Sequence, residues 1–132
     1  MFEWLKKTEQ PARPVLDEDY LLRLEKHLGR DVTLELAADG LIELTDRLAR
    51  LDQLALDGEM AEIAALAHDL AGMSGHLGLA RLSQMSVELN RNARAGETTD
   101  AGELIAPVVE VAPASLEALS HFLGAREKPE KE

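Results

Sequence analysis

The residue best equipped for chemistry in this 132-residue chain is His68. Counting three, four and seven positions either way reaches Ala61, Ala64, Ala65, Ala71, Gly72 and Gly75, the residues that share a helix face with it. The apolar side of the same segment, Ile63, Leu66, Ala67, Leu70, Met73 and Leu77, turns the opposite way. Solvated helix faces normally carry Lys, Glu or Gln, so a bare face around one imidazole requires a reason. Either that face packs against a neighbouring helix, with His68 a bystander, or another protein must come close to the ring. A free imidazole, with a pKa of about 6.5, is largely neutral at cell pH and leaves one ring nitrogen available as a nucleophile. A phosphoryl group has to reach such a nitrogen nearly in line. If a second protein holds the donor, its backbone must approach the helix closely, which Ala and Gly allow and bulkier residues block. Gly72, Gly75 and Gly78 would together cost roughly 2–3 kcal/mol as interior helix positions, which points to access or to a helix end.

Other reactive residues are sparse. His27 and His121 lie near expected helix C-termini, where positive charge is favourable, and His76 follows Gly75 in an expected turn. His68 and His76 are eight residues apart, roughly 12 Å along a continuous helix. No His-x-x-x-His or Glu-x-x-His pair surrounds them, so no metal site is expected. Ser74 precedes Gly75, but the Gly-x-Ser-x-Gly turn of a serine hydrolase is missing. With no Gly-rich phosphate loop, nucleotide binding by this chain alone is not expected either.

Composition narrows the class. Apolar residues make up 45% of the chain and aromatic residues only 3%, so a core must be built from Leu, Val, Ile and Ala. The abundance of Leu, Ala, Glu and Arg favours helices. A formal net charge of −11 argues against nucleic acid, because phosphate backbones need clustered cations. Between Lys26 and Lys128 the positive residues are all arginine: Arg30, Arg47, Arg50, Arg81, Arg91, Arg94 and Arg126. There is no cysteine, which suits a reducing compartment. No run approaches the roughly 18 apolar residues of a membrane span. Met1 to Lys7 lacks the apolar core of a secretion signal and reads as a frayed terminus. A cytoplasmic monomer that binds neither membrane nor nucleic acid is the simplest expectation.

The elements that must position His68 follow from periodicity. Residues 1–14, with two prolines between Gln10 and Pro14, read as a flexible segment. Asp17 is a candidate N-cap for a short helix carrying Tyr20, Leu21, Leu24 and Leu28 and stopping at Gly29. Asp31 is a candidate cap for a longer helix. Its stripe Leu34, Ala37, Leu41, Leu44, Leu48, Leu51 and Ala55 has bundle spacing; nothing in the sequence accounts for Gly40 within it. Asp57-Gly58 marks a turn. The His68 helix then starts near Glu59 and is expected to dissolve among Gly72, Gly75 and Gly78. Another seam, Leu79, Leu82, Ser86, Leu89 and Ala93, ends at Gly96. The last helical region, about 99–123, contains Pro107 and Pro113 and is expected to kink or split. Residues 125–132 read as a disordered charged tail. Short links favour antiparallel neighbours, so residues 15–124 predict an all-α, up-down-up-down four-helix bundle with a shorter additional N-terminal helix.

The run from His68 through Asp69, Leu70, Ala71, Gly72, Met73, Ser74, Gly75, His76 and Leu77 to Gly78 resembles the signature of the histidine-containing phosphotransfer (HPt) domain family. Leu70, Gly72, Ser74, Leu77 and Gly78 fall on matching positions. Leu89 and Ala93-Arg94-Ala95-Gly96 fit the stretch that usually follows. Val15-Leu16-Asp17 and Leu28-Gly29-Arg30-Asp31 are similar to the usual opening, so the likeness covers roughly residues 15–123. The resemblance implies a bacterial two-component phosphorelay component with His68 as phosphoacceptor. It implies docking through Ala61, Ala64, Ala65, Ala71, Gly72 and Gly75. The partners implied are response-regulator receiver domains and a hybrid sensor histidine kinase, with Mg²⁺ held by the receiver and no cofactor on this chain. Such domains do not catalyse transfer alone. Two departures stand out: the family's usual Lys three residues after the histidine is Ala71, and a usually small position is Met73. In a hairpin folded at Gly58, position 68 lies level with about position 47, so Arg47 or Arg50 is the expected source of the missing charge. Ala71 also keeps open a second reading, a degenerate adaptor that docks receivers or kinases without carrying phosphate.

Overall fold

A computed structural model describes residues 11–127, and among these residues there are five helices: α1 (Glu18–Leu28), α2 (Arg30–Asp57), α3 (Met60–His76), α4 (Ala80–Ala95) and α5 (Ala101–Glu127). The last four form an antiparallel bundle. α3 packs most extensively on α4, α2 packs on α5, and the α4–α5 and α2–α3 contacts close the ring, while the short α1 leans on α2. The all-α, four-helix expectation with an extra N-terminal helix is therefore met.

The core follows the seams. Leu44 and Leu51 of α2, Ile63 and Leu70 of α3, Leu82 of α4 and Leu119 of α5 are fully buried, each contributing roughly 1.5–3 kcal/mol of transfer free energy. Of the expected α2 stripe, Ala37, Leu44 and Leu51 are buried and Leu34, Leu41, Leu48 and Ala55 half-buried. Gly40 now has a cause. A Cβ built on it would lie 2.6 Å from Leu77 Cδ2, so the missing side chain lets the residue that ends α3 seat against α2. Among the described residues no helix is long and apolar enough to cross a membrane.

Local signals set most of the boundaries. Asp17 caps α1, its Oδ1 accepting the Tyr20 N–H at 3.1 Å. The chain then turns on a single residue, Gly29, at φ 88° and ψ 160°, a backbone region essentially confined to glycine. Because α2 begins at once, Asp31 falls inside its first turn and does not cap it.

α3 ends at His76, and Gly78 takes φ 76° just beyond it, within the glycine stretch where the sequence expects the helix to dissolve. Two other boundary expectations are corrected. α5 does not split into two shorter helices at Pro107 or Pro113. Both prolines are exposed, so water can satisfy the carbonyls that they leave unbonded one turn earlier. Finally, α5 extends beyond residue 124 to Glu127, and Lys128 to Glu132 of the expected tail lie outside the described residues. Arg126 forms an ion pair with Glu25, its carbonyl accepts from Arg30, and its guanidinium lies over Phe122.

At the other end, Met1 to Gln10 of the expected flexible segment lie outside the described residues. Residues 11–14 are pinned to the start of α4. Gln84 donates to the Pro11 carbonyl at 2.9 Å and accepts from the Arg13 N–H at 3.0 Å. The Pro14 carbonyl accepts the Arg81 N–H at 3.0 Å, satisfying one of the donors that open helix N-termini leave unpaired.

Candidate functional site around His68

α3 presents His68 because its buried and exposed residues separate cleanly. Ile63, Ala67, Leu70 and Ser74 face the core, and His68 lies on the opposite, exposed side. Of the small residues expected around it, Ala61, Ala65, Gly72 and Gly75 are exposed, Ala71 is half-buried, and Ala64 is buried under α4. Both sequence readings are thus partly right: the face meets α4 along one edge and is open along the other. Met73 does not lie on this surface; it is half-buried and packs against the core.

Two hydrogen bonds set the register of α4 against this face. Asn90 Nδ2 donates to the Ala64 carbonyl at 2.7 Å, and Ser83 Oγ donates to the Ala71 carbonyl at 2.8 Å. Ala64 and Ala71 are separated by two helical turns, as are Ser83 and Asn90, so the antiparallel helices are tied above and below His68. Small residues let the helices come this close: Ala64, Ala67 and Ser74 on α3, Ser86 and Ala93 on α4, all buried.

The glycines are not demanded by this packing. A Cβ at Gly72 would meet nothing within 4 Å, and one at Gly75 would meet Ser83 Oγ at an ordinary 3.4 Å. Their smallness leaves a surface that another molecule can approach closely.

A hollow of about 760 Å³ opens at the α3–α4 edge, lined by Ala61, Ala64, Ala65, His68, Asp69, Asn90 and Arg94 among others. A second, of about 460 Å³, lies toward the other end of the same edge, with Gly75, Ser83, Gln84, Val87 and Arg91 in its walls. Neither Arg47 nor Arg50 lines either hollow. Arg50 is bound to Glu62 at 2.8 Å and to Gln53 at 3.3 Å. The expectation of charge from Arg47 or Arg50 finds no support in the lining of either hollow. Sequence reasoning missed Asn90 and Arg94. The spacing of Leu82, Ser86, Leu89 and Ala93 places both on the flanks of the α4 seam, but only the α3–α4 register brings them to His68. Among the described residues no three His, Asp or Glu side chains are grouped to hold a metal.

An exposed imidazole on a rigid helix, bordered by small residues and hydrogen-bonded backbone, can present a nitrogen to a group held by a visiting protein. No curated protein sequence matches the chain. The crystal structure of histidine-containing phosphotransfer protein B (HptB) from Pseudomonas aeruginosa PAO1 is similar in fold, with a TM-score of 0.76 at 23% identity, covering 86% of this chain and 98% of that one. The Hpt domain model matches residues 35–123, which include α3, α4 and most of α2 and α5, and the chain therefore belongs to the Hpt domain family.

Proposed function

We propose that this chain is a phosphorelay intermediate whose His68 accepts a phosphoryl group from the aspartyl phosphate of one receiver domain and returns it to another. The observation that carries the reading is the exposure of His68 beside Gly72 and Gly75, which its own fold does not require to be small. In the forward step a ring nitrogen of His68 attacks phosphorus. The new N–P bond forms as the acyl P–O bond breaks, and the carboxylate stays with the receiver. The reverse step regenerates the imidazole. The receiver contributes its acidic pocket and Mg²⁺. This chain contributes a positioned nucleophile and a face, from Ala61 and Ala65 through Gly72 to Gly75, on which the receiver sits. A hybrid sensor histidine kinase is the expected upstream source and a second receiver the expected destination, in the cytoplasm of a bacterial cell.

The test is to mix the protein with phosphorylated receivers and to look for acid-labile, base-stable phosphate. Label on the wild type and none on His68→Gln is the expected result. A wild-type chain that takes up no phosphate from any receiver of its host would overturn the relay. Stable co-purification with a receiver in that case would make the chain a docking adaptor.

A further inference from the structure

We infer that Arg94 supplies from α4 the positive charge that Ala71 does not supply from α3, binding the phosphoryl oxygens while the group is on His68. This rests on the reading of His68 as the phosphoacceptor. In the hollow beside His68 the charged lining residues are Asp69 and Arg94. Asp69 repels an arriving phosphoryl group, so attraction from within the hollow falls to Arg94. The Arg94 side chain is exposed and makes no hydrogen bond or ion pair with other described residues. The other arginines near this helix are placed differently: Arg50 is held by Glu62, and Arg91 lines the hollow at Gly75.

Helix geometry explains how a residue so far along α4 comes to share that hollow. The Asn90–Ala64 hydrogen bond sets position 90 opposite position 64, which puts residue 94 opposite about residue 60. By backbone alone Arg94 and His68 are then roughly 12 Å apart along the axis. Side chains on a helix lean toward their own N-terminus. In an antiparallel pair those leans converge: His68 tips toward Ala64 and Ala65, and Arg94 toward Asn90. Both heads arrive over the Ala64–Asn90 crossing, where residues of both helices wall the hollow. A guanidinium there offers a planar fork to two phosphoryl oxygens. It exchanges no proton. The N–P bond still forms at His68 as the acyl P–O bond breaks, with Arg94 offsetting charge on the oxygens that do not bridge.

The experiment compares wild type, Arg94→Gln, Arg94→Lys and Arg94→Gln combined with Ala71→Lys. Each is mixed with a receiver domain that has been phosphorylated with acetyl phosphate, and transfer is followed at saturating receiver. Arg94→Gln should slow transfer about tenfold, the size of one lost charge-assisted contact, with unchanged helicity and melting. Arg94→Lys should keep part of the rate, and a lysine restored at position 71 should recover most of what Arg94→Gln loses. Wild-type rates in Arg94→Gln, or no recovery on adding Lys at 71, would overturn the role of Arg94 while leaving His68 as acceptor. A wild type that takes up no phosphate would overturn both.

Discussion

Asn90 and His68 meet at one atom. Asn90 Nδ2 donates at 2.7 Å to the carbonyl of Ala64, and in an α-helix that carbonyl is also the acceptor for the backbone N–H of His68. The helix turn that carries the phosphoacceptor candidate is therefore fastened from α4. Ser83 does the same to the Ala71 carbonyl on the next turn but one.

Replacing Asn90 by Leu should lower stability by about 1 kcal/mol, the usual net worth of one such hydrogen bond. Ser83→Ala should cost a similar amount. The two carbonyls are separated by roughly 10 Å, so the double variant should show nearly additive losses, within about 0.5 kcal/mol. Urea unfolding followed by circular dichroism measures both. A strongly non-additive pair would mean that the two ties act as one unit.

Gly72 offers the clearest separation of stability from function. A Cβ there meets nothing, and Ala is favoured over Gly inside a helix by about 1 kcal/mol. Gly72→Ala should therefore raise the melting temperature. Gly72→Gln should leave the fold intact and reduce transfer from a phosphorylated receiver, because the longer side chain stands where the partner must sit. Undiminished transfer in Gly72→Gln would show that the receiver does not use this part of α3.

Gly40 predicts the opposite pattern. Its Cβ would meet three atoms of the Leu77 side chain at 2.6 to 3.2 Å, and Leu77 is itself buried. Gly40→Leu should destabilise by about 1–3 kcal/mol through overpacking. Differential scanning calorimetry should register a clear drop in melting temperature, with the chemistry at His68 intact below it.

Gly29→Ala isolates a backbone effect. A Cβ would have open space around it, so only the φ of 88° is at issue. Holding a non-glycine residue there should cost on the order of 1–3 kcal/mol. A variant as stable as wild type would show that the α1–α2 junction relaxes to another conformation.

The sequence carried a large part of this molecule on its face. The Leu seams of α2 and α4 are periodic enough to name the buried residues, and Asp17 and Gly29 mark the ends of α1 by ordinary capping chemistry. Legibility failed wherever a local signal had a tertiary counterweight. The glycine stretch marked where α3 ends, but a propensity sum that omits buried Ile63, Ala67 and Leu70 does not show that the helix keeps Gly72 and Gly75 and stops only after His76. Pro107 and Pro113 read as breaks because sequence does not show that both face water. Residues 125–127 read as part of a charged tail because Arg126 has no visible partner in sequence; Glu25 is 101 positions away.

The candidate site divides along the same line. His68 and the small residues beside it were determined by sequence alone, because spacing along one helix fixes which side chains share its face. Which cation stands near that face was decided only by the fold. A hairpin argument gives the height of a residue on a neighbouring helix but not the direction in which its side chain points. That direction depends on how Ala64, Ala67, Ser74, Ser86 and Ala93 let two helices close on each other, and their closure brought His68 into one hollow with Asn90 and Arg94, whose lining includes neither Arg47 nor Arg50.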